Sequence, residues 1–443
     1  MKNALKEVMS QFYTDGVPED AVRRAGEFLE VRNNATVVKG MRRTGKTYFT
    51  YLRMRDLMAS GVSIERMVHI NFDDDRLAGL TAEDLHWIVD LHAEMFPEAA
   101  EERCYYFLDE LQDVRGWERF ARRLIDSHRV QLCLTGSSSR MLSEDIATEM
   151  RGRSAEVEIF PLSYREFLSY NGIFKEPPRL WDSPRIRGRL KKALADYVSV
   201  GGFPDVQGLS PTARLRMLQE YANAVVYRDI LERHEIPSVQ ALKYVLQYLV
   251  HNFARKVSVR AIAGVLKQLA LPSDRESLGN YLSYYVDAYF AYPVSLRTDS
   301  LAVRRTNPDK YYLIDTALIR ALKAKNDSEK GFVLENLVFM ALRRGFNKIE
   351  YYNTKKGDEV DFFVTDRLTG KERLVQVSYE MPSEVTKDRE FTALADARRE
   401  TGIADCTIVT WDEEREEKGI RVVPVWKWLL EEDTSLPLLS IAD

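Results

Sequence analysis

Eight residues constrain this chain more than any others: Gly40-Met41-Arg42-Arg43-Thr44-Gly45-Lys46-Thr47. Two glycines that bracket four residues, followed by Lys and a hydroxyl side chain, form the pattern of a phosphate-cradling loop. The β-branched run Thr36-Val37-Val38 precedes it and the helix-like segment TYFTYLRMRDLMAS follows, which is the strand–loop–helix setting the pattern needs. Gly40 and Gly45 permit backbone conformations and close approaches that a side chain blocks. The loop amides and the helix N-terminus direct partial positive charge at phosphates. Lys46 is expected to reach the β- and γ-phosphates and Thr47 to coordinate Mg²⁺. The expected nucleotide-binding set is Gly40, Met41, Arg42, Arg43, Thr44, Gly45, Lys46, Thr47 and Tyr48.

Short apolar runs recur from residue 36 to about residue 160: TVVKG, RMVHINF, CYYFLDE, QLCLTGS and AEVEIF, each followed by polar or helical sequence. Such runs predict a parallel sheet covered on both faces, hence an α/β fold. The third run ends in Asp109-Glu110. Asp109 is expected to hold Mg²⁺ and Glu110 to polarise the attacking water as general base. The fourth ends in Thr135-Gly136-Ser137-Ser138, where Ser137 is a candidate γ-phosphate sensor, although a serine-rich turn reads equally well. Asn71 is a candidate partner for Glu110, and Asp73-Asp74-Asp75 reads as a solvated loop or cap. Arg140, Arg151 and Arg153 are candidates for an arginine acting on the γ-phosphate from a neighbouring subunit or domain, with Arg153 in the first-choice pair.

Composition narrows the class. Lys plus Arg number 64 against 68 Asp plus Glu, a formal charge of −4, so no global basic field marks a nucleic-acid binder. Three scattered cysteines, Cys104, Cys133 and Cys406, fit a reducing cytosol better than a disulfide framework. No apolar run approaches the ~18 residues of a membrane span, and no signal-peptide core stands at the N-terminus.

Taken together, GMRRTGKT, YYFLDELQ, LTGSSSRML, the Arg151–Arg153 segment and PLSYREF resemble the predicted AAA-type ATPases of bacteria and archaea. The C-terminal half of that family is a domain of unknown function. Gly201-Gly202-Phe203-Pro204, Tyr227-Arg228-Asp229, SLGNYLSYY, YYLIDTALI and GFVLENLVF resemble that half. The resemblance implies a P-loop NTPase domain with five parallel strands, a winged-helix domain and an α+β remnant of a restriction-nuclease-like fold. It also carries the choice of ATP, since no NKxD guanine motif follows the Asp-Glu strand. The expected divisions are 1–170 (ATPase with an N-terminal helical segment), 171–240 (helical connector), 241–330 (winged helix) and 331–443 (nuclease-like).

The residues read the same way on their own. Ala241–Arg255, Ser258–Leu269 and Glu276–Ala288 are expected helices, followed by two Tyr/Val-rich strands. Within 241–310, ten Lys or Arg oppose five Asp or Glu. Arg275, Asn280, Tyr284, Arg304 and Arg305 are candidate DNA contacts, while protein docking, with Tyr281, Tyr284 and Tyr285 in the core, is the other reading. Glu335 on a helix and Asp361 on a strand resemble a PD-(D/E)xK nuclease core. Gln376 and Ser378, however, stand where that chemistry needs an acid and a lysine, so cleavage is not expected. Lys355 or Lys356 is a conceivable replacement for the lysine.

The expectation is a cytoplasmic, Mg²⁺-dependent ATPase. ATP binding and hydrolysis to ADP would move a C-terminal region that engages DNA or a protein through residues 241–310. The alternative is a slow or non-hydrolysing nucleotide switch that docks a protein. Oligomeric state is left open.

Overall fold

A computed structural model describes residues 1–434 apart from 20, 21, 25, 27, 30, 32, 128, 138–152, 175–182, 273, 324–326 and 382. The chain divides into two compact units, one holding Met1–Phe160 and the other Pro161–Val286 with Phe290–Leu436.

The first unit is built on β1 (Ala35–Lys39), β2 (Met67–Asn71), β3 (Cys104–Asp109), β4 (Val130–Gly136) and β5 (Ser154–Glu158). They form one sheet in the order β2-β3-β4-β1-β5, with every neighbouring pair parallel. Alternate residues point to opposite faces of a strand, which explains why the runs are apolar throughout. Val37, Ile70, Leu108 and Leu134 pack under α1 (Lys2–Asp15), α3 (His86–Met95) and α4 (Glu118–Asp126). Val38, Met67, Phe107, Cys133 and Val157 pack under α2 (Lys46–Ala59), which contributes Phe49, Met54 and Leu57. Fully burying one such side chain contributes roughly 1.5–3 kcal/mol. This is the expected P-loop NTPase α/β architecture with a five-stranded parallel sheet. Of residues 1–35, expected to be helical with a turn at 15–18, Lys2–Asp15 is a helix, and no other helix stands among the described residues of that stretch. Gly16, at φ 72°, caps it and turns the chain.

The second unit opens with α5 (Tyr164–Tyr170), α6 (Pro184–Val200) and α7 (Pro211–Ala224). Ser163 and Glu166 form a capping box at the start of α5. The Gly201-Gly202 break is held by Asp315, whose Oδ2 accepts from the Gly202 amide at 2.8 Å. A Cβ at Gly201 would lie 2.4 Å from Asp315 Oδ1, which explains that glycine.

Three helices follow: α8 (Val239–His251), α9 (Val259–Gln268) and α10 (Arg275–Asp287). With them goes an antiparallel sheet in the order β6-β8-β7, made of β6 (Arg255–Val257), β7 (Ala291–Val294) and β8 (Asp309–Leu313). The helix expected to reach Arg255 ends at His251. Ala254, at φ 56°, turns the chain, and Arg255–Val257 pairs with β8 instead. Tyr281 and Tyr285 are buried in the core, and Tyr284 stacks on His234 with ring centroids 3.8 Å apart.

After α11 (Thr316–Leu322) the chain runs α12 (Lys330–Gly345), β9 (Lys348–Asn353), β10 (Glu359–Thr365), β11 (Glu372–Val377), α13 (Glu384–Thr401) and β12 (Cys406–Thr410). This αβββαβ order makes a mixed sheet, completed by β13 (Arg415–Glu417), β14 (Ile420–Pro424) and α14 (Val425–Thr434). All three cysteines are buried, and none is in a disulfide. Among the described residues no helix is long and apolar enough to cross a membrane.

Candidate nucleotide site

The sheet order creates the site. Because β1 lies between β4 and β5, and β3 lies beside β4, the carboxyl ends of β1, β3 and β4 stand side by side. Val38 registers with Thr135, and Leu108 with Leu134. Residues 40–47, 109–110 and 135–137, far apart in the chain, therefore meet at one edge. Parallel α/β sheets present ligand crevices at this edge.

The loop after β1 needs its glycines. Gly40 has φ 147°, and a Cβ there would lie 2.2 Å from the Ile159 carbonyl oxygen. Gly45, at φ 93°, is the left-handed N-cap of α2. Arg43 also has positive φ, 68°. Within the loop, Thr44 Oγ1 donates to the Met41 carbonyl at 2.9 Å. Lys46, buried, donates to the same carbonyl at 3.3 Å and lies 3.5 Å from Glu110 Oε1. Arg42 pairs with Asp73 at 3.4 Å. Tyr48 is exposed at the mouth, its ring edge-on to Tyr51.

Thr47 and Asp109 meet directly: Thr47 Oγ1 donates to Asp109 Oδ2 at 2.6 Å. Thr135 Oγ1 donates to the other oxygen, Oδ1, and accepts from the Glu110 amide at 3.2 Å. Burial, and after it the Glu110 charge, raises the Asp109 carboxyl above its ordinary range. Glu110 takes a left-handed conformation at φ 54°, unusual for a glutamate and typical of strained functional positions. Its Oε2 accepts from Gln112 Nε2. The nearby Tyr51 phenol is pushed up to about 12 by burial and by Asp109.

These groups suit a divalent cation with a polyanion. Two adjacent buried carboxylates repel one another, and a hard cation taking a hydroxyl and a carboxylate oxygen relieves that repulsion. The glycine-dependent turn keeps backbone amides free of side-chain cover.

Ser137 is buried at the end of β4, within this edge. Arg153 is not. Its carbonyl accepts from the Ala35 amide at the start of β1, and its guanidinium pairs with Asp126. The length of β1, roughly 15 Å, separates it from the phosphate loop. Arg153 therefore does not meet the loop of its own chain, and Arg140 and Arg151 lie outside the described residues. Asn71 Oδ1 accepts from the Asp73 amide, and Asp74 caps the short helix at Arg76.

Sequence reasoning missed three residues here. Thr135 was read only as part of a serine-rich turn. Gln112 follows the acid pair by two positions. Arg24, from an irregular segment, is buried behind the loop, donating to the Thr44 carbonyl at 2.8 Å and to the Phe160 carbonyl at 2.5 Å. No local pattern in the sequence announces it.

In the second unit, Glu335 on α12 and Asp361 on β10 do come together. Between them stands Lys310 from β8, a residue no nuclease pattern pointed to. Gln376 Oε1 accepts from the Asp361 amide, while Gln376 Nε2 donates to Glu390 at 2.7 Å. Ser378 Oγ donates to the Glu380 carbonyl at 3.3 Å. Lys356 pairs with Asp396 at 2.6 Å, and the Lys355 amide donates to Glu400. Arg304 is committed to Glu350 at 2.8 Å.

Three stretches of the chain match known families. Residues 32–168 match an AAA domain, 191–329 a domain of unknown function, DUF8612, and 330–428 another, DUF4143. An uncharacterised protein of Methanocaldococcus jannaschii is 33% identical over 423 residues, covering 92% of this chain and 91% of its own. An uncharacterised protein of Haemophilus influenzae is 28% identical over 400 residues, covering 89% and 94%. Among solved structures, a Walker-type ATPase of Pyrococcus abyssi aligns with 65% of this chain and 90% of its own. It does so at 16% identity and a TM-score of 0.39.

Proposed function

This chain belongs to the prokaryotic AAA-type P-loop ATPases, and from that premise we propose that it is an Mg²⁺-dependent ATPase whose nucleotide cycle moves a partner-binding C-terminal region. The observation that carries the reading is the meeting of Lys46, Thr47, Asp109 and Glu110 at one sheet edge. The 40–45 loop and Lys46 would hold the triphosphate of ATP. Thr47 and Asp109 would hold Mg²⁺, which supplies charge neutralisation at the β- and γ-phosphates when bound. Glu110 orients and accepts a proton from water once it turns from Lys46 and Gln112. Ser137, buried just after β4, would read the γ-phosphate end of the site.

The partner-binding face would be the exposed side of α10, with Arg275 and Asn280, together with Arg305. Leu278, Tyr281, Leu282 and Tyr285 bury its other side. DNA is the partner we favour, on the local basic surplus. A slower switch is a second reading, supported by the engagement of Glu110 Oε1 by Lys46 and of Oε2 by Gln112.

The test is steady-state phosphate release by the wild type, Lys46→Ala and Glu110→Gln, with and without duplex DNA across a salt series. Turnover lost in both variants, and DNA stimulation that fades with salt, is the expected outcome. Equal rates in all three proteins would remove the ATPase reading. Bound nucleotide without turnover under any condition would select the switch.

A further inference from the structure

In the second unit a single ammonium contacts three carboxylates. Lys310 Nζ lies 3.0 Å from Glu335 Oε1, 3.1 Å from Asp361 Oδ1 and 2.7 Å from Glu359 Oε1. Its side chain is only 6% exposed. Two of the remaining acid oxygens are also served. The Val377 amide donates to Asp361 Oδ2 at 3.0 Å, and Lys256 lies 2.6 Å from Glu359 Oε2. The Tyr312 hydroxyl donates to Glu335 Oε1 at 2.6 Å.

An ammonium has three N–H donors. Lys310 faces one acceptor for each, so it has none to offer a water molecule or a phosphate. That separates it from a lysine that assists phosphodiester cleavage, which must keep a donor directed at the reacting group. The αβββαβ order places Glu335 on the first helix and Asp361 on the middle strand, where two acids of such a core converge on one point. The ammonium occupies that point at distances proper to charge-assisted hydrogen bonds. Lys310 also comes from a different sheet than these acids: β8 pairs with β6 and β7, while Asp361 and Glu359 belong to β10.

We propose that Lys310 is the resident cation of this core. Its ammonium takes the place of a divalent metal ion between Glu335 and Asp361, closes the site to metal, and fastens β8 to α12 and β10. The loss of the acid at Gln376 and of a lysine at Ser378 then reads as a substitution. The cation has been retained and is supplied covalently. This inference does not depend on the ATPase reading.

The test is Mn²⁺ titration of the nucleotide-free full chain, followed by electron paramagnetic resonance and thermal unfolding. The proteins compared are wild type, Lys310→Ala and Lys310→Ala/Asp361→Asn. Lys310→Ala is expected to melt below wild type and to gain a Mn²⁺ site. That site should bind roughly tenfold or more tightly than anything in wild type or the double variant, and Mn²⁺ should raise the melting point. Asp361-dependent Mn²⁺ binding by wild type would overturn the proposal, as would no gain of a site in a folded Lys310→Ala. If Lys310→Ala does not fold without metal, Lys310→Met/Glu335→Gln/Glu359→Gln, which removes the cation with two of the charges it balances, is expected to fold. Its failure to fold would show that counter-charge is not what Lys310 provides, and would equally overturn the proposal.

Discussion

Two buried lysines, Lys46 and Lys310, each face acids, yet they are held in opposite ways. Lys46 makes one long hydrogen bond, 3.3 Å to a loop carbonyl, and one loose ion pair, 3.5 Å to Glu110. Lys310 makes three close contacts at 2.7–3.1 Å. The backbone around Lys46 takes positive φ at Gly40, Arg43, Gly45 and Glu110, which is costly at the two positions that are not glycine; that of Lys310 lies in a regular strand. A site meant for an outside ligand leaves donors under-committed and stores strain. A structural site saturates its donors and stores none. Burial and charge alone do not separate the two; counting committed N–H groups does.

The largest test of this contrast is catalytic. Glu110→Gln keeps shape but cannot take a proton, so turnover is expected to fall by about 10²–10⁴-fold while ATP binding by calorimetry persists. Retained turnover would place Glu110 with the structural acids. Next comes the strained loop. Gly40→Ala forces a Cβ into the Ile159 carbonyl at a backbone angle that side chains rarely adopt. It should cost about 2–4 kcal/mol by denaturant unfolding, with ATP affinity lost in step. Arg24→Ala removes two buried charged hydrogen bonds behind the loop and should cost about 2–3 kcal/mol, with Arg24→Lys recovering part.

The remaining effects concern pH, and His69 and Asp315 should respond with opposite sign. Burial lowers His69, in β2, to about 4 from an ordinary 6.5, so its neutral form is favoured on folding. The stability that His69 contributes is therefore complete above about pH 6.5 and lost as pH falls towards 4, by up to about 3 kcal/mol. Burial raises Asp315 to about 6 against the Gly202, Leu318 and Ala317 amides that favour its charged form. The protonated acid is favoured on folding, so the second unit loses stability as pH rises from about 4 to about 6. Unfolding curves for His69→Gln and Asp315→Asn should each lose one of these slopes and keep the other.

How much of this was legible follows from what each signal reports. The five strands of the first unit announce themselves because a doubly covered strand must be apolar throughout, and the residues after β1 and β3 fall at its ligand edge by parallel geometry alone. The same geometry puts Arg153 at the far end from its own chain's loop, since it immediately precedes β5. β6 was hidden because three residues, two of them charged, carry no strand period. Lys310 was invisible for a different reason. It sits 25 residues from Glu335 and 51 from Asp361, and comes from a strand of another sheet, so no spacing rule links it to the acids.

Thr135 carries a consequence beyond its place in the site. Its hydroxyl gives a proton to Asp109 and takes one from the Glu110 amide, while Thr47 gives a proton to the opposite oxygen of Asp109. Were Thr47 to direct a lone pair at a metal ion, its O–H would still donate to Asp109, so Thr47 and Thr135 together would hold that carboxylate from both sides. Glu110 is tied through its own backbone to the Thr135 hydroxyl. One hydroxyl thus fixes the two acids relative to each other.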